Sequence, residues 1–358
     1  MSLCDPKPAG VTEAVWAEAT HACHRLRVAR VIDETHDARS LVLEIPPALA
    51  GVFRYRAGQF LSFKLPHEGQ VQTRSYSLAS SPDCEREHKV TVKRVEGGLV
   101  SNLMNDRLRA GDELMVVPPA GLFVLTPREQ PILFFAGGSG ITPVISLIKS
   151  ALAASARRMQ LVYANRDERS IIFRDELDEL ALRHPGRLAI AHSLDERDGF
   201  LDAARVREFL GDELDRDFFL CGPTAFMDLV ESTLRAAGVA RERIHVERFL
   251  SPLEHAPAAG ASAAGEAPDR VTLVLDGQSH EIPYRAGERV LAAARRAGLT
   301  PPFSCEEGYC SCCMAKLLEG RVEMAVNDCL TPELIEEGWV LTCQAHCVSA
   351  RVRLEYPD

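Results

Sequence analysis

Between Arg25 and about Leu125, hydrophobic and polar positions alternate over short segments, which is the pattern of half-buried β-strands. Glycine and proline separate these segments. The alternating segments cover residues 26–31, 41–45, 60–65 and 90–95. One stretch differs, because Leu99, Leu103 and Leu108 recur at helical spacing and predict a helix over residues 98–108. Many short strands with one helix predict a small antiparallel β-barrel.

After Pro127 the pattern changes to short apolar strands that alternate with helical stretches. The predicted strands cover residues 132–136, 160–164, 188–192, 217–221 and 244–249. The first predicted helix follows the glycine loop and ends near residue 154. The others cover residues 174–182, 202–210 and 225–237. This alternation indicates βαβ units and a doubly wound parallel sheet. We therefore predict an α/β nucleotide-binding domain over residues 127–250.

Residues 251–270 have the composition of a linker. Seven Ala, three Pro, two Gly and two Ser stand among these 20 residues, with no apolar period. A flexible coil of this length would span roughly 25 Å. From Val271 to Asp358 the pattern restarts, and we predict a small α+β domain with a type I′ hairpin turn at Asp276-Gly277. Residues 1–24 have no clear period and are predicted to be an N-terminal extension.

Composition and charge exclude several classes of protein. The chain has 358 residues, of which 46% are hydrophobic and 26% charged, so two or three ordinary globular domains are expected. A net charge of −10 argues against a general nucleic-acid binder. No apolar run approaches the roughly 18 residues of a membrane helix, and the N-terminus does not resemble a secretory signal. We expect a soluble, cytoplasmic protein that is not bound to membranes.

Seven of the eleven cysteines lie between Cys305 and Cys347, which favours metal or redox chemistry over a disulfide framework. Four of them follow the C-x4-C-x2-C spacing, with the fourth 29 residues later, that is typical of a plant-type 2Fe–2S cluster. These predicted ligands are Cys305, Cys310, Cys313 and Cys343. A structural zinc site is the alternative, but it usually pairs two C-x2-C knuckles and only one is present. The other three are interpreted as small buried hydrophobic residues: Cys312, Cys329 and Cys347.

Two loops and one strand carry the remaining candidate chemistry. Residues 137–143, Gly-Gly-Ser-Gly-Ile-Thr-Pro, lie between a strand and a helix, where backbone N–H groups could approach a pyrophosphate, although a plain tight turn is the alternative. Cys221-Gly222-Pro223 ends a later strand of the same predicted sheet. Residues 74–77, Arg-Ser-Tyr-Ser, offer a phosphate fork, an aromatic face and a hydroxyl donor, or are an ordinary strand.

Taken together and in this order, these motifs resemble those of the ferredoxin-NADP reductase superfamily, in the branch with a C-terminal plant-type ferredoxin domain. The resemblance covers about residues 25–356. It includes the R-x-Y-S run, a preceding Y-x-x-G-Q-F run at residues 55–60, the G-x-x-S of Gly98 and Ser101, and an E-x-F at Glu247 to Phe249. Within the branch, residues 322–324, 327–328 and 343–345 are most similar to reductase components of 3-ketosteroid 9α-hydroxylase, with phenylacetyl-CoA epoxidase reductases next.

The resemblance implies a fold of three domains: a β-barrel that binds FAD over residues 25–126, an NAD-binding domain and a β-grasp ferredoxin domain. It implies a role for four groups of residues. The residues near hydride transfer would be Ser77, Thr142, Cys221, Glu247 and Phe249. Flavin contacts would come from Arg74, Ser75, Tyr76, Ser77, Gly98, Leu99, Val100 and Ser101. Nicotinamide nucleotide contacts would come from Gly137, Gly138, Ser139, Gly140, Thr142, Pro143, Asn165, Arg166, Ser170, Cys221, Gly222, Pro223 and Met227. The three cysteines of the C-x4-C-x2-C motif and Cys343 would hold the cluster.

The implied function is an NAD(P)H-dependent reductase that passes electrons through FAD and a 2Fe–2S cluster to a partner oxygenase. A Rieske-type oxygenase is the favoured acceptor. A diiron acyl-CoA epoxidase is the alternative acceptor, and a redox sensor or electron carrier without turnover is the alternative of another class. NADH is favoured over NADPH because Asp167 would repel a 2′-phosphate, although Arg166 could meet one. FAD is favoured over FMN because the Gly98–Ser101 segment places a helix N-terminus for a second phosphate. Eight acidic residues between Glu306 and Glu337 also suggest a basic docking surface on the acceptor.

Overall fold

The computed structural model describes residues 23–67, 70–249, 267–303, 306, 308, 311–327, 330 and 332–357. The chain divides into a first unit, Met1–Phe249, and a second unit, Leu250–Asp358. Most of the predicted linker and of the N-terminal extension lies outside the described residues, as do Cys305, Cys310 and Cys329. In the part of the chain that the structure describes, the helices are too short or too polar to span a membrane.

The first unit begins with a six-stranded antiparallel sheet. Its strands are β1 (His24–Asp33), β2 (Ala38–Glu44), β3 (Phe60–His67), β4 (Gln70–Ser77), β5 (His88–Lys93) and β6 (Glu113–Ala120), in the order β4-β3-β6-β1-β2-β5. An isolated bridge between Leu78 and Val90 joins the two edges of this sheet. The predicted helix, α1, covers Leu99–Arg107. Apolar positions of the alternating strands point inward and form one buried core, so the predicted antiparallel barrel is confirmed.

The second part of the first unit is a parallel sheet with helices on its faces. Its strands are β7 (Ile132–Gly137), β8 (Met159–Asn165), β9 (Leu188–Leu194), β10 (Asp217–Gly222) and β11 (Ile244–Arg248), in the order β11-β10-β7-β8-β9. The helices are α2 (Ile141–Ala154), α3 (Arg174–Arg183), α4 (Asp195–Asp198), α5 (Ala203–Leu210) and α6 (Thr224–Ala236). The strand order reverses at β7, between β8 and β10, which is where doubly wound sheets bind ligands.

Barrel and parallel sheet share a continuous hydrophobic core. Ala38, Ala57 and Ala79 of the barrel belong to the same buried cluster as Ile141 and Val144 of α2. Small side chains on the barrel allow α2 to approach it closely. The two sets of loops that carry the sequence motifs are therefore held within one packed unit.

The second unit is a small α+β domain. Its elements are β12 (Arg270–Leu275), β13 (Gln278–Pro283), α7 (Val290–Arg296), β14 (Met314–Glu319), β15 (Val322–Met324), α8 (Pro332–Glu336), β16 (Trp339–Leu341), β17 (Ala345–Cys347) and β18 (Arg353–Glu355). The main sheet has the order β13-β12-β18-β14-β16, with β12 and β18 parallel, and β15 pairs with β17. Asp276 and Gly277 both have positive φ, 51° and 70°, as a type I′ hairpin turn requires.

Candidate functional site

The glycine loop after β7 and the loop after β10 meet at the carboxyl edge of the parallel sheet. Gly140 has no space for a side chain, because a Cβ there would lie 2.1 Å from the carbonyl oxygen of Cys221. The hydroxyl of Thr142 donates to the carbonyl of Ser139 at 3.0 Å and holds the turn against the start of α2. Backbone N–H groups at this helix start can receive a phosphate. The structure therefore brings the two predicted loops together.

Cys221 and Glu247 are neighbours in register on β10 and β11 at this edge. Burial raises the pKa of the Cys221 thiol well above its usual value, and the carboxyl of Glu247 adds to the effect. Desolvation also raises the pKa of Glu247 to about 8. Both groups are therefore uncharged at neutral pH. Phe249 follows β11 and is 36% exposed, so its ring stands at the surface of the first unit.

The Arg-Ser-Tyr-Ser run lies on β4, which pairs with β3 along its whole length. Ser77 is 2% exposed, and its hydroxyl has no hydrogen-bond partner among the residues that the structure describes. The ring of Tyr76 packs on Phe63 with 5.9 Å between centroids, and burial raises the pKa of its hydroxyl. Because an unsatisfied buried hydroxyl is costly, Ser77 fits a position that bonds to a bound group.

The Gly98–Ser101 segment forms the start of α1. Gly98 is extended and is the residue before the first helical turn. The hydroxyl of Ser101 accepts a hydrogen bond from the backbone N–H of Val95 at 3.2 Å. Val100 and Ser101 are buried, whereas Leu99 is 40% exposed. The segment thus presents a helix N-terminus of the kind predicted for a second flavin phosphate.

The residues after β8 form a short turn next to the glycine loop. Asp167 accepts hydrogen bonds from the backbone N–H of Ser170 at 2.9 Å and from its hydroxyl at 3.0 Å. Asn165 is buried at the end of the strand. Arg166 is 62% exposed, and its Nη2 lies 3.6 Å from Oδ2 of Asp37 in the barrel. The sequence motif contains no sign of that contact.

Two adjacent residues of α6 take different places, and only one of them was expected from the sequence. Met227 is fully buried in a core cluster with Val230 and Leu234, and its contact with the nucleotide stays a prediction. Its neighbour Phe226 lies beside the two glycine-containing loops. A Cβ atom added to Gly222 would lie 3.0 Å from Cδ1 of Phe226, and a Cβ atom added to Gly137 would lie 3.3 Å from the same atom. Because adjacent residues of an α-helix are rotated by about 100° around its axis, Phe226 faces the loops and Met227 faces the core.

Charged side chains cross the contact between barrel and parallel sheet, and sequence reasoning did not find them. We call the four residues Glu85, Lys89, Lys149 and Glu176 the junction cluster. Lys149 of α2 is only 5% exposed, and its Nζ lies 2.8 Å from Oε2 of Glu85 and 2.9 Å from Oε1 of Glu176. Lys89 Nζ lies 3.1 Å from Oε2 of Glu176. Each lysine therefore binds a carboxylate of the opposite domain.

In the second unit, two of the four predicted cluster ligands are described, and they are adjacent. The backbone N–H of Cys343 contacts the Sγ of Cys313 at 3.5 Å, and Nε2 of Gln344 contacts the Sγ of Cys343 at 3.7 Å. Hydrogen bonding with Cys343 outweighs desolvation and lowers the pKa of the Cys313 thiol. N–H groups directed at sulfur stabilise thiolates, so this pair fits iron–sulfur ligation.

The other cysteines of this region differ from the pair. Cys347 is 3% exposed and belongs to the hydrophobic core, as predicted for a packing residue. Burial raises the pKa of its thiol to about 11. Cys312 is only partly buried, so the prediction of a buried hydrophobic residue is wrong for it.

Comparison with known proteins agrees with this arrangement. Three family models match in chain order: an oxidoreductase FAD-binding domain at residues 25–125, an oxidoreductase NAD-binding domain at 134–232 and a 2Fe-2S iron-sulfur cluster binding domain at 273–348. The ferredoxin reductase component of 3-ketosteroid-9-alpha-monooxygenase from Rhodococcus rhodochrous is 40% identical over 343 residues, which are 92% of this chain and 96% of that one. The chain belongs to this family of ferredoxin reductases.

Other relatives match almost the whole of this chain. A component of the 1,2-phenylacetyl-CoA epoxidase from Escherichia coli is 33% identical over 350 residues, 93% of this chain and 97% of that one. Phthalate dioxygenase reductase has a TM-score of 0.59 at 27% identity over 94% of this reductase and 98% of that chain. A cytochrome P450, CYP116B46 from Tepidiphilus thermophilus, has a TM-score of 0.71 at 26% identity, and the match covers 94% of the reductase and 42% of that chain. The reductase is thus an oxidoreductase with FAD-binding, NAD-binding and 2Fe–2S domains.

Proposed function

We propose that this reductase transfers electrons from NADH through FAD and its 2Fe–2S cluster to a Rieske-type terminal oxygenase of the 3-ketosteroid 9α-hydroxylase kind. The observation that carries this proposal is the 40% identity with the Rhodococcus component over almost the whole of both chains. When bound, a flavin would supply the two-electron chemistry that matches a hydride donor and the one-electron chemistry that matches an iron–sulfur cluster. A cytoplasmic location stays a prediction.

The protein's part is to bind, orient and shield. Ser77, whose buried hydroxyl has no partner among the described residues, would donate to the flavin ring, and Arg74 would hold its phosphates. The glycine loop and the start of α2 would hold the nucleotide pyrophosphate. Uncharged Cys221 and Glu247 would line the place of hydride transfer without adding a net charge to it. Cys313 and Cys343, with Cys305 and Cys310, would hold the cluster.

The second candidate is a reductase for a diiron acyl-CoA epoxidase, which the 33% identity with the Escherichia coli component favours. Both candidates predict the same reaction at the flavin and differ in the acceptor. A passive sensor would instead show no repeated turnover with NADH and an artificial acceptor.

Reconstitution tests the proposal. The purified reductase is mixed with NADH and either a Rieske-type 3-ketosteroid oxygenase or a diiron epoxidase, and product is measured by mass spectrometry. We expect hydroxylated steroid, FAD as the heat-released flavin and a higher kcat/KM for NADH than for NADPH. Product with the epoxidase alone would favour the second candidate.

Affinity capture followed by mass spectrometry identifies the native acceptor. Because the acceptor is expected to dock on acidic residues, its reduction should slow as ionic strength rises.

A further inference from the structure

Asp37 belongs to the flavin domain, but its carboxylate faces the nucleotide-binding domain. It lies in the turn between β1 and β2, and its Oδ2 is 3.6 Å from Nη2 of Arg166 and 3.8 Å from Nζ of Lys93. The side chain is 16% exposed. The hydroxyl of Thr35 donates to its Oδ1 at 2.8 Å, and the backbone N–H of Arg94 donates to its carbonyl at 2.8 Å. Neighbouring groups therefore hold this carboxylate in place.

The contact lies next to the part of the sheet edge that receives a dinucleotide. Lys93 Nζ is 3.7 Å from the position that a Cβ on Gly138 would take, so the barrel reaches the glycine loop. The hydroxyl of Tyr163, on β8, donates to the carbonyl of Gly138 at 3.0 Å. In doubly wound domains the adenosine ribose lies beside the end of this second strand. Arg166, which follows β8 directly, is therefore placed to meet the 2′ position of that ribose.

The groups here that could bind a 2′-phosphate already face carboxylates. Arg166 lies between Asp37 and Ser170, whose hydroxyl is 3.5 Å from the guanidinium. The backbone N–H and the hydroxyl of Ser170 both donate hydrogen bonds to the carboxylate of Asp167. One carboxylate comes from each domain. A 2′-phosphate, with nearly two negative charges, would meet both of them, whereas a 2′-hydroxyl can donate to a carboxylate.

We propose that Asp37 is a specificity-determining residue: from the flavin domain, it engages Arg166 and makes the nucleotide site reject a 2′-phosphate. This inference rests on the NADH preference given under the proposed function. It assigns one of the two carboxylates behind that preference to a domain that does not itself carry the nucleotide fold. A change in the barrel turn should thus alter the choice between NADH and NADPH.

The test compares Asp37→Asn with Asp33→Asn, a matched loss of one carboxylate on the same hairpin. Asp33 is 73% exposed and binds Arg39 at 2.6 Å. Calorimetric titration of the FAD-loaded full chain measures the dissociation constants of adenosine 2′,5′-bisphosphate and 5′-ADP. Ferricyanide reduction measures kcat/KM for NADPH and NADH. We expect Asp37→Asn to increase both ratios in favour of the 2′-phosphate by about tenfold. Asp33→Asn should leave both ratios unchanged.

Two further results decide the origin of the effect. Adding Arg166→Ala to Asp37→Asn should reduce the gain without abolishing it, because the released guanidinium supplies one part and the lost charge of Asp37 the other. Asp37→Ser gives a second replacement with the same expected direction if Asp37→Asn does not fold. Unchanged ratios in a protein that oxidises NADH would overturn this inference and leave the proposed function intact. A wild type that prefers NADPH would overturn the NADH preference and the inference with it, and a wild type that oxidises neither would overturn the function.

Discussion

The junction between barrel and parallel sheet differs from the core of the ferredoxin domain in what it buries. At the junction, Lys149 is 5% exposed and binds two carboxylates. In the ferredoxin domain, the fully buried side chains include both small and large apolar residues, such as Ala293, Leu273 and Leu341, each 0% exposed. Among the described residues of this core, the hydroxyl of Tyr356 donates to the hydroxyl of Thr342 at 3.0 Å, which is a buried contact between uncharged groups.

The difference reflects what each region has to specify. Apolar packing stabilises a single domain but tolerates small changes in orientation, whereas ion pairs are satisfied only when opposite charges meet. The junction lies between the flavin and nicotinamide domains, which must present their cofactor sites to each other. We infer that the junction cluster sets an orientation, and that the ferredoxin core only has to hold its cysteine loop.

The largest expected effect comes from the ferredoxin side. Cys343→Ser should prevent or severely reduce cluster assembly, because serine is a poorer iron ligand than thiolate. Reduction of cytochrome c or of the oxygenase should then fall about 100-fold or more, while NADH-dependent ferricyanide reduction through the flavin continues. Visible absorbance and iron content measure the cluster. Cys347→Ser, at a core thiol, is the control and should retain the cluster. Full electron delivery by Cys343→Ser would contradict the proposed route.

The next largest effect is expected from a substitution in the junction cluster. Lys149→Met removes the buried partner of two ion pairs whose carboxylates are about 30% exposed, and it should lower the free energy of unfolding by about 2 kcal/mol. Because the domains lose their relative orientation, the rate of flavin reduction by NADH should fall as well. Denaturant titration and stopped-flow absorbance measure the two effects. Arg158→Met is the control, since Arg158 is 68% exposed in its pair with Glu213 and should change stability by less than about 1 kcal/mol. Equal effects of both variants would argue against a special role of the junction.

A carboxyl whose pKa is raised by desolvation sharpens the comparison. Desolvation raises the pKa of Glu247 to about 8 from its ordinary 4.5. The native state therefore keeps a proton that the unfolded chain has lost, and native stability falls as the pH rises from about 4.5 through 8. Between pH 6 and pH 9 the wild type should lose about 2 kcal/mol relative to Glu247→Gln, since partial exposure reduces the effect. Denaturant titration at each pH measures it. A constant difference between the two proteins would mean that Glu247 is already ionised.

The smallest expected effect concerns an uncharged contact in the ferredoxin core. Tyr284→Phe removes the hydroxyl that accepts the backbone N–H of Cys347 at 2.9 Å. We expect a loss of about 1 kcal/mol in the free energy of unfolding of the second unit, with the cluster spectrum unchanged. Thermal unfolding followed by visible absorbance measures both. A loss as large as that of Lys149→Met would show that the two regions do not differ in the way proposed here.

Much of the fold could be predicted from the sequence because it depends on local periodicity. Alternation of apolar residues predicted the barrel, βαβ spacing predicted the parallel sheet, and Asp-Gly at 276–277 predicted a hairpin that the structure shows. Two short strands were not predicted: β15 and β17 have three residues each and pair only with each other, outside the main sheet. The C-x4-C-x2-C motif could be predicted for the same reason as the hairpin, since both are patterns of residues that are close together in the sequence.

Contacts between distant residues were decided only by the tertiary structure. Asp37 meets Arg166, and Lys149 meets Glu85, across a domain boundary in both cases. A charged residue on a predicted surface looks the same in sequence whether it faces water or the next domain. Phe226 and Met227 are adjacent in the chain, and only the packing of α6 places the first at the loops and the second in the core. Sequence patterns thus determined the domains and their cofactor motifs, and the packing of those domains against each other determined which side chains complete the sites.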